Sequence, residues 1–489
     1  MIKGRPFYFL QKEKTMKVLL IQPPMFHLGV NIAPNLGLAY IAAVLERNGI
    51  EVKVLDAAAE GIFFDEIITR IERFRPHLIG AGGQTPVSPR SLTIFQRVKQ
   101  EIDPGIVTIA GGPHFTFTDR ESLEQCSGLD IVVRGEGEET IREICEKREA
   151  GEGIEGIQGI TYRSTEGAII RNPDREPIAD IDALPFPAWH LFPVEKYHWV
   201  GNKVIGISSS RGCPYHCPHC VTWKIHRGVR LRSPRKIVEE MVWVKRTFNH
   251  DTFFFQDDAS FLSREQMEGF LAELEKCGEK LFWYYETRED VFLEYKDLWR
   301  RMRENGLFKV VFGLETPDPA MRALYGKKGF RRDAVEQMID TLEKELDVLV
   351  AVYLLFGSPQ DTEASMKANL TYGRYLYPDH CSFIVGSIVA PFPGTELFEG
   401  LKREGNITSF NWKDYGFGKS VIRTAVAPDE IAKIFTGFWT GTYVRPKVFA
   451  KQIQNLFSRN RFRRAMAKNY IAIAVDMIKM RGKLDSEFN

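Results

Sequence analysis

Three cysteines fall within eight residues, Cys213, Cys217 and Cys220, in the spacing C-x-x-x-C-x-x-C. Thiolates are soft ligands, suited to zinc or to iron–sulfur. A structural zinc site closes four ligands around one ion. His216 or His219 offers a fourth ligand, but residues so close in a Pro-containing loop would strain a tetrahedron. Three cysteines around a 4Fe–4S cube leave one iron open to an exogenous ligand, and the spacing favours that reading. The other cysteines (Cys126, Cys145, Cys277, Cys381) are scattered. Seven in 489 residues, an odd and sparse count, argues against a disulfide framework and for a reducing compartment.

The cysteine loop leaves a strand-like run at residues 204–208 through Ser210, Arg211 and Gly212. Further strand-like runs follow at 252–255, 281–285, 309–312, 348–356 and 382–388. Helical periods lie between them at 235–248, 266–276, 296–305, 332–345 and 363–377. Six βα units over residues 201–404 predict a partial, open parallel barrel, with its functional loops at the C-terminal strand ends. That rim carries Phe255–Gln256–Asp257–Asp258, Thr287–Arg288, Gly313–Leu314–Glu315–Thr316, Leu355–Phe356–Gly357–Ser358–Pro359 and Pro391–Phe392–Pro393–Gly394–Thr395.

Residues 16–149 alternate in the same way. Short apolar runs at 18–22, 52–56, 78–81, 107–110 and 131–133 read as buried parallel strands. The pattern of Leu36, Ala39, Tyr40, Ala43 and Val44 reads as a helix stopped by Asn48–Gly49. The prediction is a Rossmann-like, doubly wound sheet that binds ligands at its strand ends. The loops there are Gln22–Pro23–Pro24, Gly82–Gly83–Gln84–Thr85, Gly111–Gly112–Pro113–His114 and Arg134–Gly135–Glu136–Gly137–Glu138. Glycine lets backbone approach a bulky ligand, though it also serves tight turns. No G-x-G-x-x-G follows the first strand, which counts against a dinucleotide.

Residues 1–15 read as a flexible extension without a secretory signal. Residues 150–200 read as a linker, with a small hairpin around Glu166–Gly167 and a Pro-stiffened crossing at 184–189 whose aromatics pack against both domains. Residues 405–489 read as a helical cap or tail. From Arg445 onward it holds eleven Lys/Arg against three acids, a pattern that suits either an anionic membrane surface or a barrel cap with a solvated basic side. The cap is favoured, with Phe449, Leu456, Phe457 and Ile471 buried beneath it. The net charge of +2 gives no global field for nucleic acid, and no run approaches the roughly 18 apolar residues of a membrane span.

On these motifs the second domain resembles a radical S-adenosylmethionine (AdoMet) enzyme, and residues 17–445 resemble the cobalamin-binding branch of that superfamily. The resemblance implies a 4Fe–4S cluster on Cys213, Cys217 and Cys220, with AdoMet chelating the open iron. His219 stands where the family usually has an aromatic residue and is suited to stack on adenine. AdoMet contacts are implied for Tyr215, His219, Gln256, Asp257 and Glu315. For the two acids, helix capping or a structural ion pair is the alternative. Arg288 is a candidate substrate contact or an ion-pair partner. Cobalamin is implied for the first domain, at Gln22, Pro23, Gly83, Gln84, Gly112, Pro113, His114, Arg134, Gly135, Glu136 and Gly137. The D-x-H-x-x-G motif that supplies a lower cobalt ligand is absent. Arg75–Pro76–His77–Leu78–Ile79–Gly80 lacks its Asp, and His27 lies in a suitable loop among unsuitable neighbours.

The implied reaction is reductive cleavage of AdoMet to a 5′-deoxyadenosyl radical that removes hydrogen from an unactivated carbon. Methyl transfer from methylcobalamin is favoured. A radical ring closure or rearrangement on a pigment or lipid is the alternative, and a non-enzymatic cobalamin or metal carrier is the reading from another class. The expected partners are a small-molecule, lipid or pigment substrate and an electron donor such as flavodoxin or ferredoxin, without nucleic acid. The expected location is cytoplasmic, with peripheral membrane contact as the lesser alternative.

Overall fold

The computed structural model describes residues 16–25, 31–32, 34–327, 331–416 and 418–473. The extension 1–15, His27 and the tail's Lys479, Arg481 and Lys483 lie outside them. In the first domain, strands Lys17–Gln22, Glu51–Asp56, Leu78–Gly82, Val107–Gly111 and Ile131–Val133 are parallel, in spatial order second, first, third, fourth, fifth. Successive side chains face opposite sides of a sheet. Val18 and Leu20 therefore join one core with Leu45, Ile141 and Ile144, while Leu19 and Ile21 join another with Ile67, Ile71 and Phe95. One core on each face makes the sheet doubly wound. Helix Leu36–Arg47 begins where the Asn35 side chain accepts the Leu38 N–H, and the chain turns out of it at Gly49, φ 77°.

The hairpin expected between the domains forms as Ile160–Arg163 and Ile169–Arg171. It does not stand apart. Ile160–Arg163 pairs antiparallel with Ile131–Val133, Val132 opposite Thr161, and the first sheet gains two strands from the segment read as a linker. The pairing covers what would otherwise be an exposed parallel edge. Farther on, Trp189 is fully buried in a core that includes Ala39 and Ala59 of the first domain and Ile205 of the barrel.

The second domain is an open barrel. Its strands Ile205–Ile207, Thr252–Phe255, Phe282–Thr287, Leu307–Glu315, Leu349–Phe356 and Phe383–Ile388 are parallel and lie in chain order. Helices Pro234–Phe248, Arg264–Cys277 and Glu363–Leu376 begin at capping side chains Ser233, Ser263 and Thr362, each of which satisfies an otherwise unpaired N–H.

Helices Pro428–Tyr443, Pro446–Leu456 and residues 461–473 complete the described chain. The last of them plugs the N-terminal end of the barrel. The Phe462 ring lies 3.7 Å from that of Phe308, Arg461 pairs with Asp251 at 2.8 Å, and Arg463 pairs with Asp347 at 2.6 Å and Glu343 at 2.9 Å. The burial expected along the preceding helix is corrected. Phe449 is 48% and Phe457 83% exposed, while Val448, Gln452 and Asn455 face inward. Gln452 turns inward because its amide donates to the Tyr377 hydroxyl at 3.1 Å.

Candidate active site between the two domains

The cysteine loop is built by glycine and by its neighbours. Gly212 has φ 89°, and a Cβ there would come within 1.9 Å of the Gly228 carbonyl oxygen. Its N–H donates to Asp258 at 3.1 Å. The Pro391–Thr395 loop of the sixth strand end supports the other side. Lys224 donates to the Gly394 carbonyl at 2.7 Å, and the Leu397 N–H to the Pro218 carbonyl at 2.9 Å. Cys213, Cys217 and Cys220 are half-buried free thiols. Burial, together with Cys220 and Cys217 as neighbours, pushes the Cys213 thiol up to about 11. Closed structural zinc sites take four protein ligands, whereas this loop offers three thiols, the number that leaves one iron of a 4Fe–4S cube open. The donor set fits a 4Fe–4S cube.

The rim divides the expected AdoMet residues into two groups. Glu315 sits at a bulge in the fourth strand with φ 60° and pairs with Lys327 at 2.9 Å. Despite burial, Lys327 and His219 hold its carboxyl below the usual range. The His219 ring meets Tyr325 edge-on at 5.5 Å, and its buried Nδ1 has no hydrogen-bond partner. Tyr215 lies 4.1 Å from the Arg288 guanidinium. Arg288 pairs with Asp290 at 2.7 Å, but its buried Nη1 is unpartnered. Across the rim, Asp257 accepts the N–H of Ser209 at 2.8 Å, the Ser209 hydroxyl and the Ser210 N–H at 3.2 Å. Its carboxylate is thus spent on fixing the first strand's exit. Gln256 donates to the Pro34 carbonyl at 3.2 Å.

Gln256 and Asp257 line a cavity of about 660 Å³ between the domains. Its other wall is the first domain's strand ends, with Gly83, Gln84, Gly112, Pro113, Gly135, Glu136 and Gly137. Glycine is required here. A Cβ on Gly82 would lie 2.1 Å from the Gly111 carbonyl oxygen, and Gly112 has φ 93°. Such a backbone cradle fits a large, flat ligand such as cobalamin.

Four expected cobalamin residues lie elsewhere. His114 is buried, its Nδ1 3.2 Å from the Thr85 hydroxyl and its ring edge-on to Trp412. Arg134 is consumed by Asp174 at 2.9 Å and the Asn172 carbonyl at 2.6 Å, pinning the hairpin. Gln22 accepts from the Asn35 side chain at 2.6 Å, and Pro23 is buried beside it.

Glu136 does more than line the cavity. It pairs with Arg230 at 2.7 Å, His226 at 3.0 Å and Arg211 at 3.5 Å, while Glu138 takes Arg211 at 2.6 Å. A loop of the glycine cradle is thereby tied to both ends of the cysteine loop. Arg211, Glu138, Tyr40 and Asn35, all on the cavity wall, were not singled out from the sequence as site residues. Glu138 and Arg211 flank motifs that were, and that adjacency was the available signal.

Two family models match the chain, the B12 binding domain over residues 29–145 and the radical SAM superfamily over residues 207–371. An uncharacterised methyltransferase of Pyrococcus horikoshii is 28% identical over 90% of this chain and 95% of its own. The anaerobic magnesium-protoporphyrin IX monomethyl ester cyclase of Rubrivivax gelatinosus is 28% identical over 83% of this chain and 74% of its own. Among solved structures, the radical AdoMet methyltransferase TsrM of Kitasatospora setae, with cobalamin and a 4Fe–4S cluster bound, shares the fold with a TM-score of 0.68. It is 18% identical over 94% of this chain and 99% of that one. With a cysteine loop that fits the cluster and a glycine cradle that fits the corrin, the chain belongs to the cobalamin-binding radical S-adenosylmethionine enzymes.

Proposed function

We propose that the protein transfers a methyl group to an unactivated carbon of a small molecule. The observation that carries this reading is the cavity shared by the first domain's glycine loops and the barrel's strand ends, next to the cysteine loop. When bound, the cluster supplies the electron that cleaves AdoMet, and cobalamin supplies the methyl group. Cys213, Cys217 and Cys220 hold the cluster. Tyr215, His219 and Glu315 bound the AdoMet side of the rim, where the His219 Nδ1 has no protein partner. Gln256 spans the boundary between the barrel and Pro34 of the first domain. The apposed domains keep water from the reacting carbon, which protects a radical from side reactions. An electron donor of the flavodoxin or ferredoxin class completes the system.

Ring closure on a pigment or lipid is the second reading, favoured by the likeness to the cyclase. The test uses anaerobic, cluster-loaded, cobalamin-bound protein with deuteromethyl AdoMet and small-molecule extract. Methyl transfer releases 5′-deoxyadenosine and S-adenosylhomocysteine in equal amounts and labels a product. 5′-Deoxyadenosine without S-adenosylhomocysteine selects ring closure, and neither product selects a carrier.

A further inference from the structure

The lumen of the barrel is covered less well than its outside. On the helix-facing side, Phe253, Phe255, Trp283, Tyr285, Val350 and Val352 are at most 1% exposed. The alternate residues face the lumen, and Phe254, Tyr353, Leu355, Val385 and Ser387 are only half-buried. Closed barrels pack their interior with side chains, whereas here these lumen-facing residues keep accessible surface. Its floor is shut by Trp199, Phe308 and Phe462. Its upper end is continuous with the inter-domain space, since Phe254 and Gln256 line that cavity and Phe254 stacks on Tyr284 with ring centres 4.5 Å apart.

One charged group stands in this space. Glu286 follows Tyr284 on the same face of the third strand and is exposed. It is nevertheless surrounded by protein, so that burial raises its carboxyl pKa. Both hold for a side chain on the inner face of an open barrel, whose surface is accessible although protein surrounds it. Among the described residues no hydrogen bond or ion pair is formed by its carboxylate. The cation whose charge acts on Glu286 is Lys309, which sits beside Tyr284 in the strand register. It lies in an aromatic box rather than in an ion pair, 4.2 Å from the Tyr284 ring centre and 4.8 Å from that of Trp199, and it is 8% exposed. A free carboxylate among aromatic faces is the composition of a cation-binding site.

We infer that the lumen recognises a substrate bearing a cationic nitrogen on an apolar or aromatic body, with Glu286 accepting hydrogen bonds from that nitrogen and Phe254, Tyr284 and Tyr353 walling the body. The inference rests on the barrel lumen being where the substrate of the proposed reaction lies. Lys309 is a positioning residue. Its positive charge competes with the ligand's for Glu286.

The test is calorimetric titration of the cobalamin-bound, cluster-loaded protein with phenethylamine, phenethyl alcohol and 3-phenylpropionate. The amine should bind about tenfold or more tightly than the alcohol, as a hydrogen bond to a charged group does, and the carboxylate most weakly. Glu286→Gln should erase the preference for the amine, and Lys309→Met should strengthen amine binding, an opposite change that a merely structural role would not produce. Equal binding of amine and alcohol, a preference that survives Glu286→Gln, or no binding of any probe at millimolar concentration would overturn the inference. None of these readouts requires AdoMet cleavage, so failure here is distinct from failure to form 5′-deoxyadenosine.

Discussion

Glu136→Gln keeps the side chain's shape and removes the charge on which Arg230, His226 and Arg211 converge. The glutamate side chain is 7% exposed, so solvent does not replace what is lost. Breaking a buried pair by removing one partner costs about 3–5 kcal/mol, because the other charge stays buried. Arg211 retains Glu138, which leaves Arg230 as the stranded group and puts the expected loss near the lower end, about 3 kcal/mol. In a cooperative unit of a few hundred residues, that lowers Tm by about 6–12 °C. The acid limb should change as well. Burial alone would raise the Glu136 pKa, but hydrogen bonds from His226 and Arg230 and the charge of Arg211 hold it well below the usual range. A depressed carboxyl pKa contributes stability that is fully present above the unfolded value and lost as pH falls through the folded one. Glu136→Gln should therefore flatten the stability loss between neutral and strongly acidic pH. Anaerobic thermal melts from pH 7 downward, with hydrogen exchange at residues 134–138 and 226–231, measure both effects. A Tm within about 1 °C of the parent's, with unchanged exchange, would refute the role of Glu136 as a latch between its loop and the cysteine loop.

Replacing Cys213, Cys217 and Cys220 with Ala should remove nearly all iron and all AdoMet cleavage; iron analysis that finds the parent's content in the triple variant contradicts the assignment. Phe462→Ala should cost about 3–5 kcal/mol, as loss of a buried aromatic does, whereas the exposed Phe457→Ser should shift stability by no more than about 0.5 kcal/mol; thermal melts that reverse this order contradict the plug. Anionic liposomes should co-sediment only weakly with the protein, since Arg461 and Arg463 are spent on Asp251, Asp347 and Glu343. Burial lowers the Lys309 pKa from 10.5 to about 8, so the folded state binds fewer protons than the unfolded between those values. Stability should rise with pH across that window, and Lys309→Met should lack the rise in chemical denaturation at pH 8 and pH 10.

The glycine loops and the cysteine loop were legible in the sequence because their signals are local. A glycine where backbone approaches backbone, as at Gly82 and Gly111, or a thiol triplet on one turn needs no distant partner to be read. The alternation of short apolar runs was legible for the same reason, since each buried strand declares itself by its own composition. The charged residues were not legible at this level, because a charge shows its role only through its partner. Arg134 and Glu136 are two positions apart in one loop, yet one pins the hairpin through Asp174 and the other crosses to Arg230, 94 residues away. Asp257 and Glu315 both end barrel strands, yet one closes on its neighbour strand's amides and the other on Lys327. The helix Pro446–Leu456 was misread from the same cause. Its apolar positions suggested an inward face, but the Tyr377 hydroxyl selects Gln452 instead.

One short stretch of chain serves both domains. The stretch from Gly135 to Glu138 supplies backbone to the cradle and carboxylates to the latch. Arg211 at the start of the cysteine loop and Arg230 beyond it are held by that same stretch. A ligand that displaces the 135–138 backbone must therefore also load the ion pairs that fix both ends of the cysteine loop. The coupling is reciprocal by thermodynamic necessity. Occupancy of the cradle should tighten the cysteine loop, and cluster loading should tighten the cradle, each effect failing when Glu136 loses its charge.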